Sequence, residues 1–450
     1  MTLSPPAVLL TPHRFPAQTA RSLDFQVTAN GVPLDVISHS AAHFTSLECD
    51  GPVSIALTRL HGADGARAPR SIVVRPSRHG IQPRVETTPS GTRATFAIAG
   101  PVCLQVEMDG APLLYIYALP PAAESPRGPH VRRFESGRVH DVGMLTLGTG
   151  EVCWLEPGAI VRGSIRAADA RDVLIGGYGV LDGSLWPERG EPLKKAIILE
   201  RCSNCRVENI LMVSPCRWMV VLADSEDMQV RGVRQVADTV SSDGIDIVGS
   251  RRVRISGCML HNGDDNIAIK ALNDNPGQSG ERWCGNVEAI VVSDCSFYNI
   301  HGGSAMEIGY ETCTEHIRNI RFEDIDVLAV HQFGSVFGIH TGDRAQVHGI
   351  TWERIRVEHH YDKLIDMRVV WSRWNRDAQR GSVRLVVFRD ISVVQIPPNV
   401  GYTLSVIAGY DAEHTISDVL FENFVLGGRR VANADHLDLV TRHAHNLVFR

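Results

Sequence analysis

Nowhere in these 450 residues does an apolar run approach the roughly eighteen residues that a membrane-spanning helix needs. The longest candidate is the short Trp218–Ala223 stretch, so no membrane partner is expected. A basic excess is missing too: 45 Lys and Arg stand against 51 Asp and Glu, a net charge of −6. Nothing is left over to neutralise a phosphate backbone, which removes nucleic acid from the expected partners. Cysteine is sparse, with 10 in the whole chain, far below the density of a disulfide scaffold. Cys202 and Cys205 form one C-x-x-C, but no second pair stands at zinc-ribbon spacing, so the cysteines read as small buried apolar residues and neither a metal nor a cofactor is expected. The first fifteen residues carry Pro5 and Pro6 and no basic segment ahead of Ala7–Leu10, a poor secretory signal, which makes a cytoplasmic location the default expectation. Also absent is any long stripe of period 3.6, which disfavours helix bundles and βαβ folds.

What is present is an ordinary apolar content of 44% with 21% charged residues, enough to bury a full core. From about residue 207 a short segment recurs: Val207-Glu208-Asn209-Ile210, Val230-Arg231-Gly232-Val233, Ile255-Ser256-Gly257-Cys258 and Val292-Ser293-Asp294-Cys295. Four more follow, at Phe322-Glu323-Asp324-Ile325, Trp352-Glu353-Arg354-Ile355, Phe388-Arg389-Asp390-Ile391 and Phe421-Glu422-Asn423-Phe424. Their first residues lie between 23 and 37 apart, so a core of about two dozen residues carries insertions of variable length. Each unit reads as short strands rich in Val, Ile and Phe, broken by Gly, Asn and Asp, without leucine ladders or paired helices. Such units bury themselves by stacking as coils of a parallel β-helix, each rung adding about 4.8 Å and placing like over like. Insertions at 271–287 and 371–383, which contain Trp283, Trp371 and Trp374, would wall a groove.

The front of the chain differs. Leu23–Val27 and Val32–Val36 alternate around Asn30-Gly31, and Val102–Met108 and Leu113–Tyr117 flank Asp109-Gly110, two hairpin signals. With Val53–Leu57, Ile72–Val74 and Ala94–Ile98 as further strands, a small antiparallel β-sandwich is expected. Pro120-Pro121, Pro126, Gly128 and Pro129 mark a linker. The expected organisation is therefore a sandwich over 1–122, a linker over 123–135 and the β-helix over 136–450.

Acids gather in Ser242-Asp243-Gly244-Ile245-Asp246-Ile247 and Gly263-Asp264-Asp265-Asn266-Ile267-Ala268-Ile269-Lys270, with Asp243 and Asp264 21 residues apart. That is close to one repeat, so Asp243 should stand over Asp264 and Asp265 on the neighbouring rung. Like charges that close oppose ionisation, and at least one of the three should hold a proton near neutral pH while another stays charged. An acid and a base side by side are what glycosidic hydrolysis requires, one protonating the leaving oxygen while the other activates water or attacks the sugar. Adjacent Asp264 and Asp265 in a regular strand would face opposite ways, so a bend or bulge at Gly263 is expected. Two plainer readings compete: turn aspartates that bind nothing, and hard oxygen ligands for Ca²⁺.

The two acidic motifs resemble the paired signatures of glycoside hydrolase family 28, the polygalacturonase family, and Trp154–Gly163 and Gly177-Tyr178-Gly179-Val180-Leu181-Asp182-Gly183 are similar to its opening coils. The resemblance covers about residue 140 to the end. It implies an all-β fold with a right-handed parallel β-helix and hydrolysis with inversion, with Asp264 as general acid and Asp243 and Asp265 holding and deprotonating the attacking water. Two departures stand out. Ser304 occupies the place of the histidine in the family's Gly-His-Gly, with His301 three residues earlier, and Gly338-Ile339-His340-Thr341 stands where the family has an Arg-Ile-Lys that grips a uronate. A neutral subsite sugar, or an acid held by Arg282 or Arg368, follows from that loss. A sandwich ahead of a β-helix is similar in architecture to glycoside hydrolase family 49, the dextranase and isopullulanase group. Glu307, Tyr310, Glu311, His340 and Lys270 are further candidate contacts on nearby rungs, and Trp283 is a candidate sugar-stacking ring. The expected protein is a monomeric glycosidase with a carbohydrate substrate. A Ca²⁺-dependent lyase using Arg254 or Lys270 as proton acceptor, and a non-catalytic glycan-binding β-helix, are the alternatives.

Overall fold

A computed structural model describes residues 9–60, 71–88, 91–185, 195–274, 280–394 and 403–450. Among these, thirty strands from Val131 to Phe449 join in one continuous right-handed β-helix, parallel but for the short Arg282–Trp283 and Arg429–Arg430, preceded by two five-stranded sheets.

The repeat read from the sequence is a physical column. The first residues of the eight repeat segments pair in register, Val207 with Val230, Val230 with Ile255, Ile255 with Val292, and so on through Phe322, Trp352, Phe388 and Phe421. All eight are fully buried. In the later coils the ladder is aromatic: Trp352 and Phe388 stack at 4.8 Å, Phe388 and Phe421 at 4.9 Å, Phe421 and Phe449 at 4.7 Å. The third residue of every repeat segment, from Asn209 to Asn423, has a left-handed φ between 51° and 63°. A corner is turned there on each coil, which is why Asn, Asp and Gly recur at that place. Arg354, the one long side chain in the series, is held against Asp324 by bonds of 2.8 to 3.0 Å.

Each coil contributes to three sheets. The first carries the repeat ladder. The second runs through Ile160–Ala168, Leu211–Val213, Arg234–Val236, Met259–Asn262 and Ser296–Asn299. The third runs through Ile197–Glu200, Val220–Ala223, Ile245–Val248, Ile267–Asn273, Met306–Thr312, Ser335–Thr341 and Lys363–Val369. Inward residues such as Ile245, Ile267, Met306 and Phe337 fill the core, so the alternate residues of the third sheet point outward.

The sandwich lies across the outward face of the second sheet. Phe44, Tyr115 and Tyr117 pack against Tyr178, Val180, Leu211, Val236 and Met259, and the Tyr115 hydroxyl stands 3.0 Å from His261 Nδ1. Two features depart from expectation. His43–Cys49, a strand without alternation, is buried along its whole length and pairs in parallel with Leu114–Leu119, so the sandwich is not wholly antiparallel. Val131–Phe134, inside the expected linker, already pairs with Val152–Leu155 as the first rung of the β-helix. The Pro5-Pro6 signal and residues 275–279 of the first insertion lie outside the described residues.

Candidate active site

The three aspartates come from turns between the second and third sheets. Asp243 ends the turn that leads into Ile245–Val248, and one coil on, Asp264 and Asp265 fill the turn between Met259–Asn262 and Ile267–Asn273. The expected bend is present at Gly263 and Asp264, so the pair sits between two strands where the backbone is free of their alternation. Glycine at 263 is required because a Cβ there would meet Thr239 O at 2.3 Å. Gly303, on the following coil at φ +70°, lies so near that a Cβ would come within 2.4 Å of Asp264 Oδ1 and 2.6 Å of Asp265 Oδ1.

Buried amides hold these turns. Asn266 Nδ2 donates to Asn262 Oδ1 at 2.8 Å, Asn262 Nδ2 to Gln235 Oε1 at 2.9 Å, and Gln235 Nε2 to Gly244 O at 2.9 Å. Asn299 Nδ2 donates to Asp264 O and Gly302 O, each at 2.6 Å. The result is one carboxylate oxygen from each of Asp243, Asp264 and Asp265 within 4.8 Å of the others.

Charge is arranged around that group. Lys270 Nζ lies 2.7 Å from Asp243 Oδ2 and 2.9 Å from Asp246 Oδ1, with the Trp218 ring 4.0 Å away. The two acids outweigh the cost of burying the ammonium and hold Lys270 well above its ordinary range. Burial, then the charge of Asp243, push Asp264 up to about 7, against the N–H groups of Asp265 and Ser241 that donate to it at 3.0 and 3.1 Å. Burial and the neighbouring acids raise Asp265 well above its ordinary range, while Ser304 N donates to its Oδ1 at 2.5 Å. Three acid oxygens suit a hard divalent cation, and Lys270 already supplies the group with a counter-charge.

A cavity of about 340 Å³ opens here, and Asp243, Asp264, Asp265, Lys270, Ser304, Glu307, Tyr310, Glu311, His340 and Arg368 all line it. His340 Nδ1 is 2.7 Å from Glu307 Oε1, its Nε2 is 3.4 Å from Asp366, and Tyr310 stacks on it at 4.2 Å. Burial favours the neutral ring, but Glu307 and Asp366 prevail and bring His340 up to about 9. Burial pushes Glu311 up as well.

Two candidates are not brought in. His301 is exposed and away from the cavity wall. Trp283 is buried with Trp218, Val248 and Leu272 and donates to Glu200 at 3.3 Å, so it is a packing ring and not a sugar platform. Arg282 is exposed on the short strand beside Asn273, while Trp374 lines the cavity and Trp371 stands 67% exposed beside Arg380. The two insertions meet, Arg376 Nε donating to Asp274 O at 2.9 Å. Sequence reasoning missed Asp366, Lys363, Arg217, Trp218 and Phe333, all cavity-lining. Asp366 follows Gly338 by one coil in the same outward row.

Comparison with known proteins follows the same lines. The model of glycosyl hydrolases family 28 matches residues 159–432. A probable exopolygalacturonase C of Aspergillus terreus is 30% identical over 144 residues, 32% of this chain and 29% of that protein. A polygalacturonase of Chamaecyparis obtusa is 26% identical over 129 residues, 25% of each. The alignments thus span less than a third of these relatives' length. Among solved structures, Dex49A from Penicillium minioluteum has a TM-score of 0.60 at 13% identity, covering 97% of this chain and 94% of its own. A polygalacturonase from Erwinia carotovora ssp. carotovora has a TM-score of 0.54 at 16% identity, covering 70% and 89%. At these identities the structural likeness speaks for the fold alone, sandwich and β-helix together in the first case.

Proposed function

This chain belongs to glycosyl hydrolases family 28, and from that premise we propose that it hydrolyses an O-glycosidic bond of a poly- or oligosaccharide, with Asp264 giving the proton to the leaving oxygen, Asp265 helping to hold the attacking water and Asp243, paired with Lys270, receiving the water's proton. The observation that carries this reading is the convergence of three carboxylates within 4.8 Å at the floor of a cavity. Asp264, pushed up to about 7, holds a proton to give at neutral pH, the condition a general acid must meet. The charge balance that keeps the other acids in place comes from Lys270.

A lyase reading needs a free base. Lys270 is clasped by Asp243 and Asp246 and held protonated, and Arg254 is exposed on the first sheet, away from the cavity, so neither fits that task. The missing Arg-Ile-Lys argues that the substrate is not ordinary polygalacturonan, since Gly338 and His340 stand at those places.

Inverting pairs are usually about 6.5–9.5 Å apart and retaining pairs about 5–5.5 Å. A second reading, in which one aspartate attacks the sugar directly, draws on the same three acids. The anomer released, followed by proton NMR in the first minutes of turnover, decides between them. Asp264→Asn is expected to lower kcat about 10³-fold with the melting temperature unchanged, and wild-type activity is expected to fall as pH rises through about 7, where the donor loses its proton. An Asp264→Asn protein of full activity would remove the mechanism.

A further inference from the structure

Glu307 shares the outward row of the third sheet with Gly338 and Asp366 on the two following coils. It is 2% exposed, yet it lines the cavity. Its Oε1 is engaged by His340 Nδ1 at 2.7 Å, while its Oε2 has no hydrogen-bond donor among the described residues. A carboxylate oxygen that opens onto a cavity without a protein donor is placed to accept a hydrogen bond from a ligand. That same oxygen fills the space in front of residue 338, where a Cβ built on Gly338 would meet it at 2.0 Å. No larger residue fits at 338 while Glu307 keeps its place. The position from which an arginine would reach a uronate is thus occupied by an acid.

The cations on this flank are already engaged. Arg368 holds Asp366 with Nε at 2.6 Å and Nη2 at 2.8 Å, His340 bridges Glu307 and Asp366, and Lys363 Nζ stands 2.9 Å from Asp362 and 3.9 Å from Asp366. A ligand carboxylate brought here would face Glu307 and Asp366 before any free positive charge. Arg217, which has no carboxylate partner among the described residues, precedes Trp218 on the coil before Asp243, on the other side of the triad.

We infer that the sugar seated beyond the triad, on the side of Glu307, His340 and Asp366, is uncharged, and that Glu307 Oε2 determines this specificity by accepting a hydroxyl of that sugar. The inference rests on the glycosidase reading above and names the substrate class for that site. Hydroxyls are donors that a carboxylate pair can take up, whereas a uronate adds like charge to a desolvated acidic wall.

The test uses the purified full chain on galacturonan, rhamnogalacturonan, galactan, dextran and pullulan, with products separated by chromatography. A polymer carrying a neutral sugar beside the cleaved bond is expected to be the best substrate, with galacturonan at least about 100-fold lower in kcat/KM. Glu307→Gln keeps the side chain's shape and is expected to raise the galacturonan-to-best-substrate ratio about tenfold, with KM for the neutral substrate changing more than kcat. Galacturonan as the best substrate overturns the inference and leaves the glycosidase standing. An unchanged ratio in Glu307→Gln, with all substrates reduced alike, also overturns it and makes Glu307 a packing residue. If no polymer is cut, the glycosidase reading falls and this one with it.

Discussion

The first and third sheets of the β-helix use one geometry for opposite purposes. On the first, like stacks on like, from Val207 up to Phe449, and every added apolar contact supports the next. On the outward side of the third, stacking like on like would place charge on charge about 4.8 Å apart. The chain alternates instead. Asp246, Glu307 and Asp366 occupy one row on every second coil, separated by the small residues Ala268 and Gly338. Lys270 and His340 stand two residues further along on the coils between. Acid and base form a checkerboard, and each carboxylate meets a cation from the rung above or below. A repeat architecture therefore tolerates ionic groups on its wall when the acids of one row are spaced by small neutral residues and bonded to cations of the adjacent rungs, while its core asks only for size and apolarity.

Breaking one square of the checkerboard should have the largest effect on stability. Lys270→Met leaves Asp243 and Asp246 buried without their cation and is expected to cost about 3–5 kcal/mol in denaturant unfolding. Adding Asp246→Asn to that variant is expected to recover part of the loss, because the two residues interact directly. A gain in stability from Lys270→Met alone would show that the alternation is not what holds this wall. In the apolar ladder the matched change is mild: Trp352→Phe keeps an aromatic ring between Phe322 and Phe388 and is expected to cost under about 2 kcal/mol by the same measurement. A cost equal to that of Lys270→Met would erase the contrast.

A further effect is one of pH. His340 is brought up to about 9 from an ordinary 6.5, so the folded chain binds its proton more tightly than the unfolded chain does. The stability that follows is complete below about pH 6.5 and is lost as pH rises through about 9, with a slope of at most about 1.4 kcal/mol per pH unit. His340→Gln is expected to flatten that slope, and an unaltered slope would place the proton elsewhere.

Much of this was legible because stacking converts sequence spacing into distance. The repeat anchors pair without a slip, and the 21 residues between Asp243 and Asp264 do correspond to adjacent turns. What escaped notice obeyed other physics. His43–Cys49 is buried on both faces, between the sandwich core and the β-helix, so it shows no alternation to read. Trp283 was counted among loop aromatics, but a two-residue strand folds it back under Leu272. Asp366 carries no motif; it matters because of the row it joins, and a row is visible only once the register of later coils is known.

The aspartate turns occupy two rungs of the stack and the Glu307–His340–Asp366 wall occupies the next three, so the proposed bond breaking and the proposed sugar choice fall on different but touching rungs. Gly303 and Ser304 form the seam between them, packing on the two adjacent acids and donating to Asp265, so a change on the rung of Glu307 is felt by the carboxylates beneath it.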